Sequence, residues 1–74
     1  MIIDKLVKKN KICLFMKGTP ESPACGYSNF VVELLKKYGL TDYKSVDVIE
    51  NNIFRDQVKV YSKWPTYPQL FIDG

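Results

Sequence analysis

The chain has 74 residues, two cysteines, no histidine and a formal net charge of +3. That length allows one domain, near the lower limit at which a hydrophobic core is self-sufficient, and a content of 46% hydrophobic and 14% aromatic residues excludes a disordered class. The missing histidine excludes a Cys–His nucleophile pair, a Ser–His–Asp triad and most zinc sites, and no run of about 18 apolar residues marks a transmembrane helix.

Residues 2 to about 9 put Ile2, Ile3, Leu6 and Val7 on one helical face, with Asn10 as the stop. Lys8, Lys9 and Lys11 cluster at the end of that helix, where cations suit the dipole. The other lysines are scattered, so neither a nucleic-acid patch nor a membrane patch is expected. The same residues do not read as a signal peptide, because the apolar segment is short and carries Asp4. With two cysteines only, a reducing compartment is expected, the cytoplasm or a mitochondrial or plastid matrix, and not secretion.

Ile12 to Met16 is an apolar run bounded by Lys11 and Lys17, the pattern of a central strand buried on both faces. Cys13 lies inside it and reads as a small core residue. Phe30, Val31, Leu34, Leu35 and Tyr38 repeat with helical spacing, and Gly39 supplies a cap, which gives a helix from about Gly26 to Tyr38. Tyr43 to Ile49 alternates, with Val46 and Val48 inward, as a second and more exposed strand. Strand, helix, strand in this length gives an α/β crossover and a parallel pair. Asn51 or Asn52 caps a third helix, with Phe54, Val58 and Tyr61 as its buried stripe and Arg55 and Lys59 sharing another face. That helix ends before Trp64-Pro65, with the Trp64 ring covering its end. Pro65 and Pro68 bracket an extended Thr66-Tyr67, and Gln69 to Ile72 is a third strand. Asp73-Gly74 reads as a hairpin turn whose second strand is missing, so the chain is expected to be a piece of a longer protein.

Between the first strand and the second helix lies Lys17-Gly18-Thr19-Pro20-Glu21-Ser22-Pro23-Ala24-Cys25-Gly26-Tyr27-Ser28. Two prolines and two glycines mark a loop, which Pro20 and Pro23 stiffen. Cys25 sits where the loop becomes helix, facing free backbone N–H groups and the positive end of the dipole. Both favour the thiolate, the reactive and metal-binding form.

This stretch, followed by Trp64-Pro65-Thr66-Tyr67-Pro68-Gln69-Leu70, resembles the monothiol glutaredoxins over nearly the whole chain. Tyr27 stands where that family usually has Phe. The resemblance implies a thioredoxin-like α/β three-layer sandwich, incomplete because the last hairpin strand and C-terminal helix are missing. Residues 1–74 would then form roughly the first two-thirds to three-quarters of the domain. It also implies a cis Tyr67-Pro68 bond and a glutathione site. Lys17, Arg55 and Lys59 match contacts to the glycine carboxylate end of the tripeptide. The backbone of Thr66 and Tyr67, beside Pro68, matches the segment that pairs with the peptide like an added strand. Cys25, Gly26 and Tyr27 complete the expected cofactor-binding residues.

Dithiol relatives carry Cys-x-x-Cys, whose second thiol resolves the mixed disulfide formed by the first. Here that position is Ser28, so turnover needs glutathione as the second thiol; Ser28 itself reads as a helix-start residue bonding backbone N–H groups. A [2Fe–2S] cluster takes four thiolates. The resemblance implies that Cys25 and one glutathione from each of two protomers supply them, in a cluster-bridged homodimer that passes the cluster to iron–sulfur recipient proteins. Lys17 would both pair with the glutathione carboxylate and help keep Cys25 ionised. Tyr27 stays open between packing beside the cluster and covering the loop. The expectation is therefore a glutathione-dependent [2Fe–2S] carrier. The alternatives are a glutathione-dependent oxidoreductase that removes glutathione from mixed disulfides through Cys25 alone, and a redox-inert interaction domain.

Overall fold

The computed structural model describes residues 2–73, the side chain of Ile2 excepted. The order of elements is α1 (Ile2–Lys9), β1 (Ile12–Met16), β2 (Gly18–Thr19), β3 (Ser22–Pro23), α2 (Gly26–Lys37), β4 (Lys44–Asp47), α3 (Asn52–Ser62) and β5 (Gln69–Ile72). β1 is central in a three-stranded sheet of order β4-β1-β5. It runs parallel to β4, with Phe15 opposite Val46, and antiparallel to β5, with Phe15 opposite Gln69.

All five residues of β1 are buried, as a strand covered on both faces requires. Alternation along the strand divides them between two cores. Cys13 and Phe15 join Ile3 and Val7 of α1, Val58 of α3, and Val46, Val48 and Tyr67. Leu14 and Met16 join Val32 and Leu35 of α2. The sheet is thus the middle of three layers, with α1 and α3 on one side and α2 on the other. Each fully buried Leu, Phe or Met contributes about 1.5–3 kcal/mol by leaving water, so β1 anchors both cores. Cys13 is fully buried, as expected of a core cysteine, and burial pushes its thiol up to about 11.

The buried stripe of α2 differs from the one expected. Ser28, Val32 and Leu35 face the sheet and Val31 is half-buried, whereas Phe30, Leu34 and Tyr38 are exposed. Helical turning of about 100° per residue puts the 28/32/35 line and the 30/34/38 line roughly a third of a turn apart. The apolar arc is wider than the contact with the sheet, and the small Ser28, which hydropathy counts as polar, takes a place in that contact. The helix ends as expected. Gly39, at φ +72, and Leu40 donate to Lys36 and Leu35 carbonyls at 3.0 and 2.8 Å, the two bonds of a Schellman cap.

α3 carries Val58 fully buried, with Phe54 and Tyr61 partly buried against the same core. Asn51 is its N-cap residue but makes no side-chain cap bond; its Nδ2 donates instead to the Asp47 carbonyl at 3.2 Å. Lys63, in the left-handed region at φ 58, closes the helix. Trp64, expected to cover the helix end, is 60% exposed; its carbonyl, accepting from Gln69 Nε2 at 3.0 Å, ties this turn to β5. Asp73 lies at φ 57 and its N–H donates to the Lys11 carbonyl at 2.7 Å. The expected Asp73-Gly74 turn involves Gly74, which lies outside the described residues. Among the described residues, no helix is long and apolar enough to cross a membrane.

Candidate functional site

The stretch that the prolines and glycines mark as a loop is a small hairpin. β2 pairs with β3, Gly18 opposite Pro23 and Thr19 opposite Ser22. Pro20 and Glu21 form its two-residue tip, where proline pre-sets the first turn position, and Ser22 N–H donates to Thr19 Oγ1 at 3.1 Å. Ala24 N–H donates to the Lys17 carbonyl at 2.9 Å and closes the base. The hairpin thereby delivers Cys25 straight to the start of α2.

Cys25 is the N-cap of α2, in an extended conformation at φ −150, ψ 160. Its sulfur takes the role that a Ser or Asp oxygen usually plays, accepting from Ser28 N–H at 3.4 Å. Ser28 Oγ lies 3.3 Å from the same sulfur and also accepts from Lys17 N–H at 3.1 Å. With its lone pair engaged by that amide, the hydroxyl is free to donate to sulfur. The Cys25 thiol is held below its ordinary value of 9.0 chiefly by this Ser28 hydroxyl. Partial burial opposes the shift; the Ser28 and Tyr27 amides and the Lys17 charge add to it. The helix start and Lys17 act as expected, but the leading contributor is the Ser28 hydroxyl. Ser28 is fully buried; it bonds a backbone N–H, as expected of it, that of Lys17, and it also reaches the sulfur. Its position three residues after an N-cap was the available signal.

Two clefts meet at Lys17, the residue whose charge acts on Cys25. One, of about 450 Å³, is lined by Lys17, Val48, Ile49, Arg55, Asp56, Lys59, Pro65, Thr66 and Tyr67. Three cations face a single carboxylate there, and Arg55 Nε is 3.6 Å from that carboxylate in Asp56. The other, of about 530 Å³, is lined by Lys17, Tyr27, Phe30, Val31, Thr66, Tyr67 and Pro68. Lys17, Thr66 and Tyr67 belong to both walls. Gly26, the first residue of α2, has nothing within 4 Å of where a Cβ would stand, so the space above it is open.

The Tyr67-Pro68 bond is cis, as the resemblance implied. The Tyr67 side chain turns inward. It is 7% exposed, its ring lies 5.9 Å below Lys59 Nζ, and its hydroxyl donates to the carbonyls of Arg55 and Phe54. Burial pushes that phenol up to about 12, keeping it a neutral donor at any physiological pH. Tyr67 therefore ties the proline turn to the α3 turn that bears Arg55. What it offers the cleft is backbone: among the described residues its N–H and carbonyl pair with no other backbone group. Most of the residues singled out in the sequence thus come together: Lys17, Arg55, Lys59, Thr66 and Tyr67 around one cleft, and Tyr27 and Pro68 with Lys17 around the other. Cys25 and Gly26 line neither cleft; they sit at the start of α2, next in the chain to Tyr27 of the second. Among the described residues no group of three or more His, Cys, Asp or Glu side chains is placed to hold a metal ion. A metal centre at Cys25 would need ligands from beyond the described residues.

The glutaredoxin family model matches residues 12–74. Curated relatives include the mitochondrial glutaredoxin-related protein 5 of Danio rerio, 44% identical over 97% of this chain and 46% of its own length. A chloroplastic monothiol glutaredoxin of Arabidopsis thaliana is 47% identical over 97% of this chain and 41% of its own. The NMR structure of the mature form of Trypanosoma brucei 1CGrx1 superposes with a TM-score of 0.83 at 43% identity, covering 97% of this chain and 50% of that one. The chain spans about half the length of these relatives. A hairpin-delivered cysteine capping a helix, serine in place of a second thiol, and a cis-proline turn agree with what these matches say: the chain belongs to the glutaredoxin family, in its monothiol branch, with a thioredoxin-like fold.

Proposed function

We propose that the full-length protein binds glutathione beside Cys25 and, as a pair of protomers, carries a [2Fe–2S] cluster as cargo for iron–sulfur recipient proteins. The carrying observation is the Cys25–Ser28 pair: one accessible, acidified sulfur whose neighbour in the motif is a hydroxyl. Cys13, the other sulfur, is fully buried with its thiol raised, so it is no substitute for a resolving thiol. Each protomer then offers one thiolate, and glutathione, when bound, supplies the other.

The first cleft suits that tripeptide. Lys17, Arg55 and Lys59 would hold a carboxylate, Arg55 by a bidentate contact and the lysines as point charges. The free N–H and carbonyl of Tyr67 would take the peptide backbone as an added strand. Residues 1–74 form one glutaredoxin domain in part, and the compartment is the cytoplasm or an organelle matrix; the mitochondrial and chloroplastic relatives support the second.

The lowered Cys25 thiol also favours a second reading. Cys25 thiolate attacks the glutathionyl sulfur of a protein–glutathione disulfide and releases the protein thiolate, which takes up a proton. A free glutathione thiolate then attacks the Cys25–glutathione disulfide, giving oxidised glutathione and restoring the Cys25 thiolate.

Anaerobic reconstitution of the full-length protein with iron and sulfide, with and without glutathione, tests the first reading. Visible absorbance and a dimer in size-exclusion chromatography are expected only with glutathione. Equal absorbance without it would overturn the carrier reading. Turnover of a glutathionylated peptide in the absence of any cluster would then favour the oxidoreductase.

A further inference from the structure

We propose that Asp47, at the end of β4, is a positioning residue for the cationic cleft, acting as a hydrogen-bond acceptor and not as a charge. It touches no part of the thiol and lines neither cleft. Its Oδ1 accepts from three backbone amides: Gly18 at 3.0 Å, Ile49 at 2.9 Å and Glu50 at 3.4 Å. The last two are neighbours along its own turn. The first lies 29 residues back in the chain, next to Lys17.

This one oxygen therefore pins together two segments that wall the same cleft. On one side Lys17 stands at the exit of β1. On the other Ile49 stands at the exit of β4, ahead of α3 and its Arg55 and Lys59. The amides of Lys17 and Gly18 are held in succession, the first by Ser28 Oγ from α2 and the second by Asp47 from β4. Lys17 is an exposed lysine on a flexible stem. Its backbone is the part that can be fixed, and these two bonds fix it. Gly18, at φ +88, leaves no room for a Cβ, which would stand 2.6 Å from the Ser22 and Ala24 backbone.

All three contacts use Oδ1, so an amide oxygen at the same place can accept them. Asparagine should substitute where alanine does not. Serine separates the two halves of the pin. Its hydroxyl can still close a local turn by accepting from residue 49 or 50, but it is one atom shorter and does not reach Gly18. The role rests on the glutathione reading for its ligand, not for its geometry.

The test uses the full-length protein as wild type and as Asp47→Asn, Asp47→Ser and Asp47→Ala, with urea unfolding as the control for folding. Amide hydrogen exchange at Gly18 reads the pin directly. Affinity for S-methylglutathione, which cannot form a disulfide, reads the cleft. Asp47→Ser and Asp47→Ala should speed Gly18 exchange and weaken binding about tenfold, the scale of one positioning hydrogen bond, while Asp47→Asn stays within about twofold of wild type in both. Unchanged Gly18 exchange in the serine and alanine variants overturns the pin. Faster exchange with unchanged affinity overturns its role in the cleft. An asparagine variant as weak as alanine shows that charge, not acceptor geometry, matters, and overturns the proposal as stated. If wild type binds no S-methylglutathione while Gly18 is protected, the glutathione reading fails and takes the positioning role with it, leaving the pin itself standing.

Discussion

Full-length protein carrying Cys25→Ser should assemble no visible iron–sulfur chromophore and should turn over no glutathionylated substrate, yet fold with nearly unchanged stability. The first two losses follow because no other described sulfur is accessible: Cys13 is fully buried in the core formed with α1 and α3. The retained stability follows from what the sulfur does locally. Cys25 caps α2 by accepting from Ser28 N–H, and serine is among the preferred residues for that task. The unfolding free energy is therefore expected within about 0.5–1 kcal/mol of wild type. Urea denaturation and anaerobic reconstitution, run on the same preparation, check both halves. Absorbance persisting in the variant would place the thiolate ligand elsewhere. A collapse of stability would mean that Cys25 is structural.

Gly18→Ala should cause the largest loss of stability of an alanine substitution at any described glycine, more than about 3 kcal/mol. Two effects add. An L-residue in the left-handed region costs about 1–2 kcal/mol. The new Cβ would also stand 2.6 Å from Ala24 N and 2.6 Å from Ser22 O, backbone atoms of the paired strand and of the residue after it, which cannot swing aside as a side chain can. Against a stability of about 0.05–0.15 kcal/mol per residue, that is a large fraction. Relieving the contact means opening β2 from β3, which carries Cys25. Gly26→Ala is the internal contrast. It lies at the first helical position with nothing within 4 Å of the new Cβ, so urea unfolding should find it neutral or slightly stabilised, by a few tenths of a kcal/mol. Equal destabilisation by the two substitutions would contradict the hairpin account.

The elements were legible where one physical pattern dominated. Ile12 to Met16 could only be a buried strand, and it is the central one. The exit of α2 through Gly39, free to take φ +72, and the end of α3 before Trp64-Pro65, where proline bars the helix, were likewise legible. The misreadings came where a single residue carried two signals. Phe30, Leu34 and Tyr38 have the helical spacing of core residues, but position around the helix, which hydropathy does not report, leaves them exposed. Trp64 looked like a lid because it is large, whereas its carbonyl makes the contact. Tyr67 was read as a backbone partner only; its buried side chain also ties the proline turn to α3.

At the site, the cationic residues and the proline turn could be gathered from the sequence only through family resemblance, because Lys17, Arg55 and Thr66 lie far apart in the chain. The partners of the hydrogen bonds that tune and hold the site were not legible. Ser28 reads as a helix-start residue bonding backbone N–H groups where dithiol relatives have a thiol, and Asp47 as a residue of the more exposed strand. Both act across sequence distances of 11 and 29 residues, and such long-range bonds leave no periodic trace.

The central claim is that the fold keeps one sulfur accessible and more acidic than a free thiol. The most direct measurement is the pH dependence of iodoacetamide alkylation at Cys25, followed by mass spectrometry in the folded full-length protein and in the urea-unfolded chain. Because only the thiolate reacts and Ser28 holds the folded thiol below 9.0, the rate for the folded protein should reach half-maximum at a lower pH than for the unfolded chain, while Cys13 stays unmodified until unfolding. A half-maximum at or above that of the unfolded chain, or alkylation of Cys13 as fast as of Cys25 in the folded protein, would contradict the account.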